Sequence, residues 1–168
     1  MRALLVLVLA FTVSAAQAEI KIGIVNIQKI ISSIKEGKSV NKTLEKSFKS
    51  KQKVLKEEEE GIKKLIESLQ KQSAVLSDSA KAKKTAEINQ KRQEASEKMR
   101  KFQAEIQKQE AELKKPILDK LKPVIDEVSE SEKVELTFEI SASPPIYASK
   151  KIDLTEKVIK AYDKKHSK

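Results

Sequence analysis

Few residues in this chain could do covalent chemistry. There is no cysteine, which excludes thiol nucleophiles, disulfides and thiolate metal sites. The single histidine, His166, stands in "KKHSK" at the C-terminus. One imidazole at a chain end suits a frayed terminus better than a catalytic or metal-ligating role. Gly23, Gly37 and Gly61 are isolated, so no glycine-rich loop can cradle a phosphate. Glu57 to Glu60 form a run of four carboxylates. Consecutive residues on a helix point about 100° apart, so the four cannot converge on a proton or a metal. The run reads as a solvated face. No catalytic, metal-binding or cofactor-binding residue is expected, and the chain is not read as an enzyme.

What remains is charge. The chain carries a net +10, with 36% charged and only 4% aromatic residues. That balance attracts acidic proteins, anionic lipid or nucleic acid. The basic residues concentrate in one run: Lys81, Lys83, Lys84, Lys91, Arg92, Lys98, Arg100 and Lys101. Glu87, Glu94 and Glu97 interleave as i,i+3 and i,i+4 partners, so the run reads as a diffuse attractor more than a discrete anion site. These eight residues are the candidate contacts to an acidic protein or an anionic surface.

The elements that carry this charge are helical. From Lys38 to Lys115 there is no proline and one glycine. Phe48, Leu55, Ile62, Leu69 and Leu76 are each seven apart. Leu44 and Leu65 add a second seam position, whose other slots hold Lys51, Glu58 and Gln72. Ile88, Ala95, Met99, Phe102, Ile106 and Leu113 continue the seam, which makes a weakened coiled coil. Met99 and Phe102, both on the seam, are expected to serve arm stability more than the binding of a partner. "SDS" at Ser77 to Ser79 favours turns and caps, which suggests the tip of a helical hairpin with arms of about 60 Å. One continuous helix of about 80 residues is the alternative. Pro116 and Pro123 are expected to bend the returning helix or end its regular packing.

The ends of the chain supply a body. Ile20, Ile22 and Ile24 alternate as in a strand, and Asn26 and Gly37 bracket a short helix as its caps. "VELTFEI", Val134 to Ile140, alternates again, and "IYAS", Ile146 to Ser149, is a shorter candidate strand. Asp153 with Glu156 makes a capping box for a last helix. Such a core is meagre and leaves sheet edges open, so oligomerisation is expected without fixing its number. The oligomerisation residues would be Ile22, Ile24, Val134, Leu136, Phe138 and Ile140. Residues 1–18 read as a signal peptide: Arg2, the apolar run "ALLVLVLAFTV", and "AQA" with cleavage after Ala18. The division is then 1–18 signal, 38–115 arm with its tip near 77–79, and 19–37 with 116–168 as the body.

The order "KIGIVNIQKII", long hairpin, "VELTFE" and "IYASKKIDLTEKVIKAY" resembles the Skp (OmpH-like) family of periplasmic chaperones over the whole exported chain. The resemblance implies a mainly α fold with a small β-barrel body shared between the subunits of a homotrimer. Antiparallel helical-hairpin arms would extend from that body. It implies an ATP-independent periplasmic holdase for unfolded outer-membrane β-barrel proteins, with anionic lipid or lipopolysaccharide as a further partner and no nucleic acid. Two departures stand out. "SESEKVEL" lacks the glycine that commonly precedes the second strand, and "SPP" precedes "IYAS". An exported coiled-coil spacer or adaptor of the cell envelope is the alternative function.

Overall fold

The computed structural model describes residues 20–142 and 144–166, so the expected signal segment lies outside the described residues. The chain opens with strand β1 (Ile22–Val25) and helix α1 (Ile27–Ser33), followed directly by helix α2 (Lys35–Gln72). Helix α3 (Asp78–Ser131) returns to the start. Strand β2 (Leu136–Glu139), strand β3 (Ile152–Asp153) and helix α4 (Thr155–His166) complete the body. The fold is mainly helical with a small strand region. The three strands form one sheet in the order β2-β1-β3, and both pairings are parallel. The hairpin α2–α3 is thus an excursion within the connection between two neighbouring parallel strands.

The core lies where the foot of the hairpin meets the sheet. Ile117, Leu121, Val124 and Val128 of α3 are spaced 4, 3 and 4 apart and form one buried stripe. Against it pack Ile30 and Ile31 of α1, Val25 of β1, and Val158 and Tyr162 of α4. α3 runs unbroken through Pro116 and Pro123. Both prolines are exposed, opposite the buried stripe, so water can reach the carbonyls they leave unpaired. The expected end of regular packing does not occur: the stripe crosses both positions.

Asn26 caps α1, its side chain accepting from the Lys29 N–H at 2.8 Å. Gly37 does not end that helix. α1 stops at Ser33, and Gly37 lies in the first turn of α2, where a Cβ would overlap the Ile31 carbonyl oxygen. The glycine is there because two helix ends touch. α2 begins without a cap of its own, and Asp163 of α4 supplies one by accepting from the Lys35 N–H at 3.0 Å. Glu36 ties three helices together. Its carboxylate accepts from Tyr162 Oη and from Lys120 Nζ, each at 2.7 Å. Burial raises its pKa, but these two hydrogen bonds and the nearby positive charge hold it below the ordinary carboxylate range. His166 is not frayed: its ring packs 4.8 Å from that of Tyr162.

Three further sequence readings are corrected. "IYAS" is not a strand. Ile146 and Tyr147 are exposed and unpaired, and the third strand is Ile152–Asp153. Alternation over four residues cannot tell an edge strand from an extended loop. The capping box at α4 is half made. Asp153 accepts from the Thr155 N–H at 2.9 Å, but Glu156 pairs with Lys29 at 2.8 Å instead of reaching back. Val134 faces inward, since a Cβ on Gly23 would lie 2.9 Å from its Cγ1. The cause is Lys133, which has φ 56° and turns the chain between α3 and β2. The N–H groups of Lys133 and Val134 donate to Glu130 and Ser129 carbonyls, the pattern that closes a helix with a left-handed residue.

Candidate functional site on the arm

The arm exists because two amphipathic helices meet along a polar-tolerant seam. The turn spans residues 73–77, slightly before the expected Ser77 to Ser79. Ser73 Oγ donates to the Gln70 carbonyl at 2.8 Å, closing α2. Ser77 opens α3 by accepting from the Ala80 N–H at 3.3 Å. Asp78 then falls in the first turn of α3, where a negative charge suits the helix dipole.

The polar slots of the seam meet one another. Lys51 of α2 pairs with Glu105 of α3, and Glu58 pairs with Lys98. The residue numbers sum to 156 in both cases, which fixes one antiparallel register. Along that register α3 presents Lys84, Lys91, Lys98 and Glu105 as one layer and Ile88, Ala95 and Phe102 as the other. Ile88 is the buried member. Two of the interruptions are therefore charge-matched layers. Each pair is only part-buried and contributes modestly to stability.

This register splits the eight basic candidates. Lys81, Lys84, Lys91 and Lys98 stand on the stripe that faces α2. Lys98 is held by Glu58, Lys91 pairs with Glu94 at 3.0 Å, and Lys81 sits 3.7 Å from Asp78. Hydrogen bonding and attraction from Glu94 raise the Lys91 pKa. Lys83, Arg92, Arg100 and Lys101 are exposed on other faces and form no ion pair among the described residues. The run is one in sequence and two in space. The whole arm is basic: residues 38–115 hold 21 Lys and Arg against 13 Asp and Glu, a net +8.

Sequence reasoning missed an apolar groove of about 570 Å³ halfway along the arm, between the helices. Phe48 and Leu55 line it from α2, and Met99, Phe102 and Ile106 from α3. Phe48 is 55% exposed and Met99 44% exposed, so neither is a sealed seam residue. The expectation that Met99 serves mainly arm stability is revised accordingly. Lys51 Nζ lies 4.5 Å from the centroid of the Phe102 ring, within cation–π range. A usable signal was present: Phe48 and Phe102 are the only aromatic residues of the arm.

The body offers a second apolar surface. Val25 packs in the core, so Ile22 and Ile24 turn to the opposite sheet face, beside Leu136 and Phe138 in register. Ile24 is buried by the strands on either side, while Leu136 is 52% and Phe138 42% exposed. Ile140 continues beyond β2, half-buried. Among the described residues no cluster of three His, Cys, Asp or Glu could hold a metal, and no helix is long and apolar enough to cross a membrane.

The family described as outer membrane protein (OmpH-like) matches residues 21–162 of the chain. A crystal structure of an OmpH-like outer membrane chaperone from Caulobacter crescentus superposes with a TM-score of 0.67 at 18% identity. The match covers 94% of this chain and 92% of that one. No curated protein matches the chain.

Proposed function

We propose a function from one premise: the chain belongs to the OmpH-like outer membrane protein family, a family of chaperones. On our reading it is an ATP-independent holdase of the periplasm that keeps unfolded outer-membrane β-barrel proteins from aggregating. The observation that carries this is a long basic arm with exposed apolar surface and no convergent polar constellation. Long-range charge gathers acidic clients and speeds encounter. Many weak apolar contacts then hold a chain without fixing any one residue of it. Lys83, Arg92, Arg100 and Lys101, exposed and unpaired among the described residues, are the best placed for the steering role. They could equally meet anionic lipid or lipopolysaccharide.

The bare sheet face of Ile22, Leu136 and Phe138 supports a homotrimeric body, with sheets from three chains enclosing one core. Leu136→Asp would then bury a charge without a partner and dissociate the assembly, which sedimentation would read as a loss of mass. The functional test is light scattering of several unrelated barrel proteins diluted from urea, with and without this protein. Suppression across clients is the expected result. Suppression of one alone, or of none, would sink the holdase reading in favour of a dedicated adaptor.

A further inference from the structure

We propose that the groove between α2 and α3 binds an extended chain segment with apolar residues at alternate positions and a carboxylate nearby. The proposal rests on the holdase reading and names what the arm selects in a client.

Phe48 and Leu55 stand seven residues apart on α2, about 10 Å along the axis. An extended chain rises about 3.3 Å per residue, so side chains at i and i+2, about 7 Å apart on one side, fall within that length. The groove is within the size range of sites that enclose small ligands. Its walls at Phe48, Leu55, Met99, Phe102 and Ile106 would receive two apolar side chains at i and i+2. A helical segment would match that spacing too, with i and i+4 about 6 Å apart, but it pairs its own backbone groups and makes no use of the groove's polar lining.

An extended segment also carries backbone N–H and C=O groups that must be paired when water is removed. The groove supplies partners. Gln52, Gln103 and Gln107 are its remaining uncharged lining, and none of the three is engaged in a hydrogen bond within the described residues. Each amide offers both donor and acceptor. No carboxylate lines the groove, and the one charge that does is Lys51. Lys51 reaches Glu105 and lies against Phe102, so a client carboxylate can compete for it as the segment settles. Alternation of apolar and polar residues marks the strands of membrane barrels, which gives the groove a basis for preferring such clients over helical ones.

The test compares two fluorescein-labelled ten-residue peptides of equal composition, one with alternating apolar residues and one with them in a block. Anisotropy with the purified protein should show at least tenfold tighter binding of the alternating peptide. Phe48→Gln with Met99→Gln should erase that preference and leave helical circular dichroism intact, because both side chains are already about half exposed. Should that pair lower helicity, Gln52→Leu with Gln103→Leu keeps the apolar walls and should still erase the preference. Lys51→Met should abolish the difference between acidic and neutral alternating peptides. Equal binding of the two peptides, or a preference that survives the groove variants, overturns the proposal. A change in sedimentation mass of the Phe48→Gln, Met99→Gln protein also overturns it, since a second copy's arm would then be the occupant. If wild type suppresses barrel aggregation but shows no peptide preference, only the groove falls. If it suppresses nothing, the parent reading falls.

Discussion

Gly37 and Gly61 lie in the same helix, and a methyl group added to each would meet opposite fates. At Gly37, in the body, it would overlap the Ile31 carbonyl oxygen. At Gly61, in the arm, nothing lies within 4 Å of it. The difference holds for the two regions as wholes. The body is closed by side chains from four helices and a sheet, and Glu36, Glu139 and Asp163 are each paired across elements. The arm is two helices sharing one seam, and beyond Val40 at its foot Ile88 is its one buried apolar residue among the described ones. A body of this kind is specified by steric fit. An arm of this kind is specified by pattern and register, and leaves surface to spare for a partner.

Gly37→Ala should give the largest effect. The clash is with backbone oxygen, which cannot rotate away, so α1 and α2 must separate. We expect a loss of more than about 3 kcal/mol, read as a large fall in the urea midpoint of the body. A change under about 1 kcal/mol would mean the two helix ends are not in firm contact, and the contrast between the regions would lose its main support.

Acid should separate the regions next. Glu139 is held at about 2 although burial alone would raise it, because Ser141, the Ala142 and Ser141 N–H groups and the Ile27 N–H all donate to it. Glu36 is lowered as well. Both folded values lie below the unfolded ones, so their stabilisation is complete above the ordinary carboxylate value and is lost as pH falls through it toward about 2. In the arm, Glu94 and Glu105 are lowered mainly by their lysine partners, Lys91 and Lys51. Salt screens such pairs over about 8 Å at physiological strength, but leaves neutral hydrogen-bond donors untouched. The share of the body's acid transition that Glu139 carries should therefore persist in 1 M salt, while the share from Glu36, which Lys120 helps to hold, should weaken. Near-ultraviolet signal from Tyr162 reads the transition, and Glu139→Gln should flatten its salt-resistant part. An acid transition that disappears in salt would put the body's carboxylates in the same class as the arm's.

The contrast also explains what could be read in advance. Periodic features were legible: the heptads of α2, the strand patterns at Ile22 and Leu136, and the Asn26 cap. Each is a local rule repeated along the chain. Features made by distant residues were not. Gly37 resembled a helix end because glycine serves both there and at close contacts. Val134 matched the strand alternation, but Lys133 reverses the chain just before it. The eight basic residues looked like one cluster until the interhelical register divided them. The groove was hidden because Phe48 and Phe102 sit on heptad positions, where burial is the ordinary expectation.

Lys133→Gly should raise body stability. A left-handed residue costs a side chain roughly 1–2 kcal/mol, and glycine avoids that cost while gaining freedom in the unfolded chain. The net gain should be about 1 kcal/mol, seen as a higher urea midpoint by every probe of the body. It would supply the glycine whose absence before β2 the sequence already showed. No gain, or a loss, would mean that the Lys133 side chain contributes a contact worth as much as the strain.

Gly61→Ala should have the smallest effect and the most local one. Glycine inside a helix costs roughly 0.5–1 kcal/mol relative to alanine, through backbone freedom in the unfolded chain. Nothing opposes the new methyl, so that amount should appear as stabilisation. It should appear only in the arm. Glu57, Glu58, Gly61, Ile62 and Leu65 border one open cleft with Lys91, so this turn has little tertiary packing to add. Hydrogen exchange should slow several-fold around residues 57–66 and stay unchanged in β2 and α4. Slowing throughout the body as well would show that arm and body open together, and the division between them would be one of shape alone. If exchange near Gly61 slows while client capture also slows, the soft turn is part of how the arm adapts to a client. If capture is unchanged, the glycine is tolerated because an open arm has nothing for a side chain to fit.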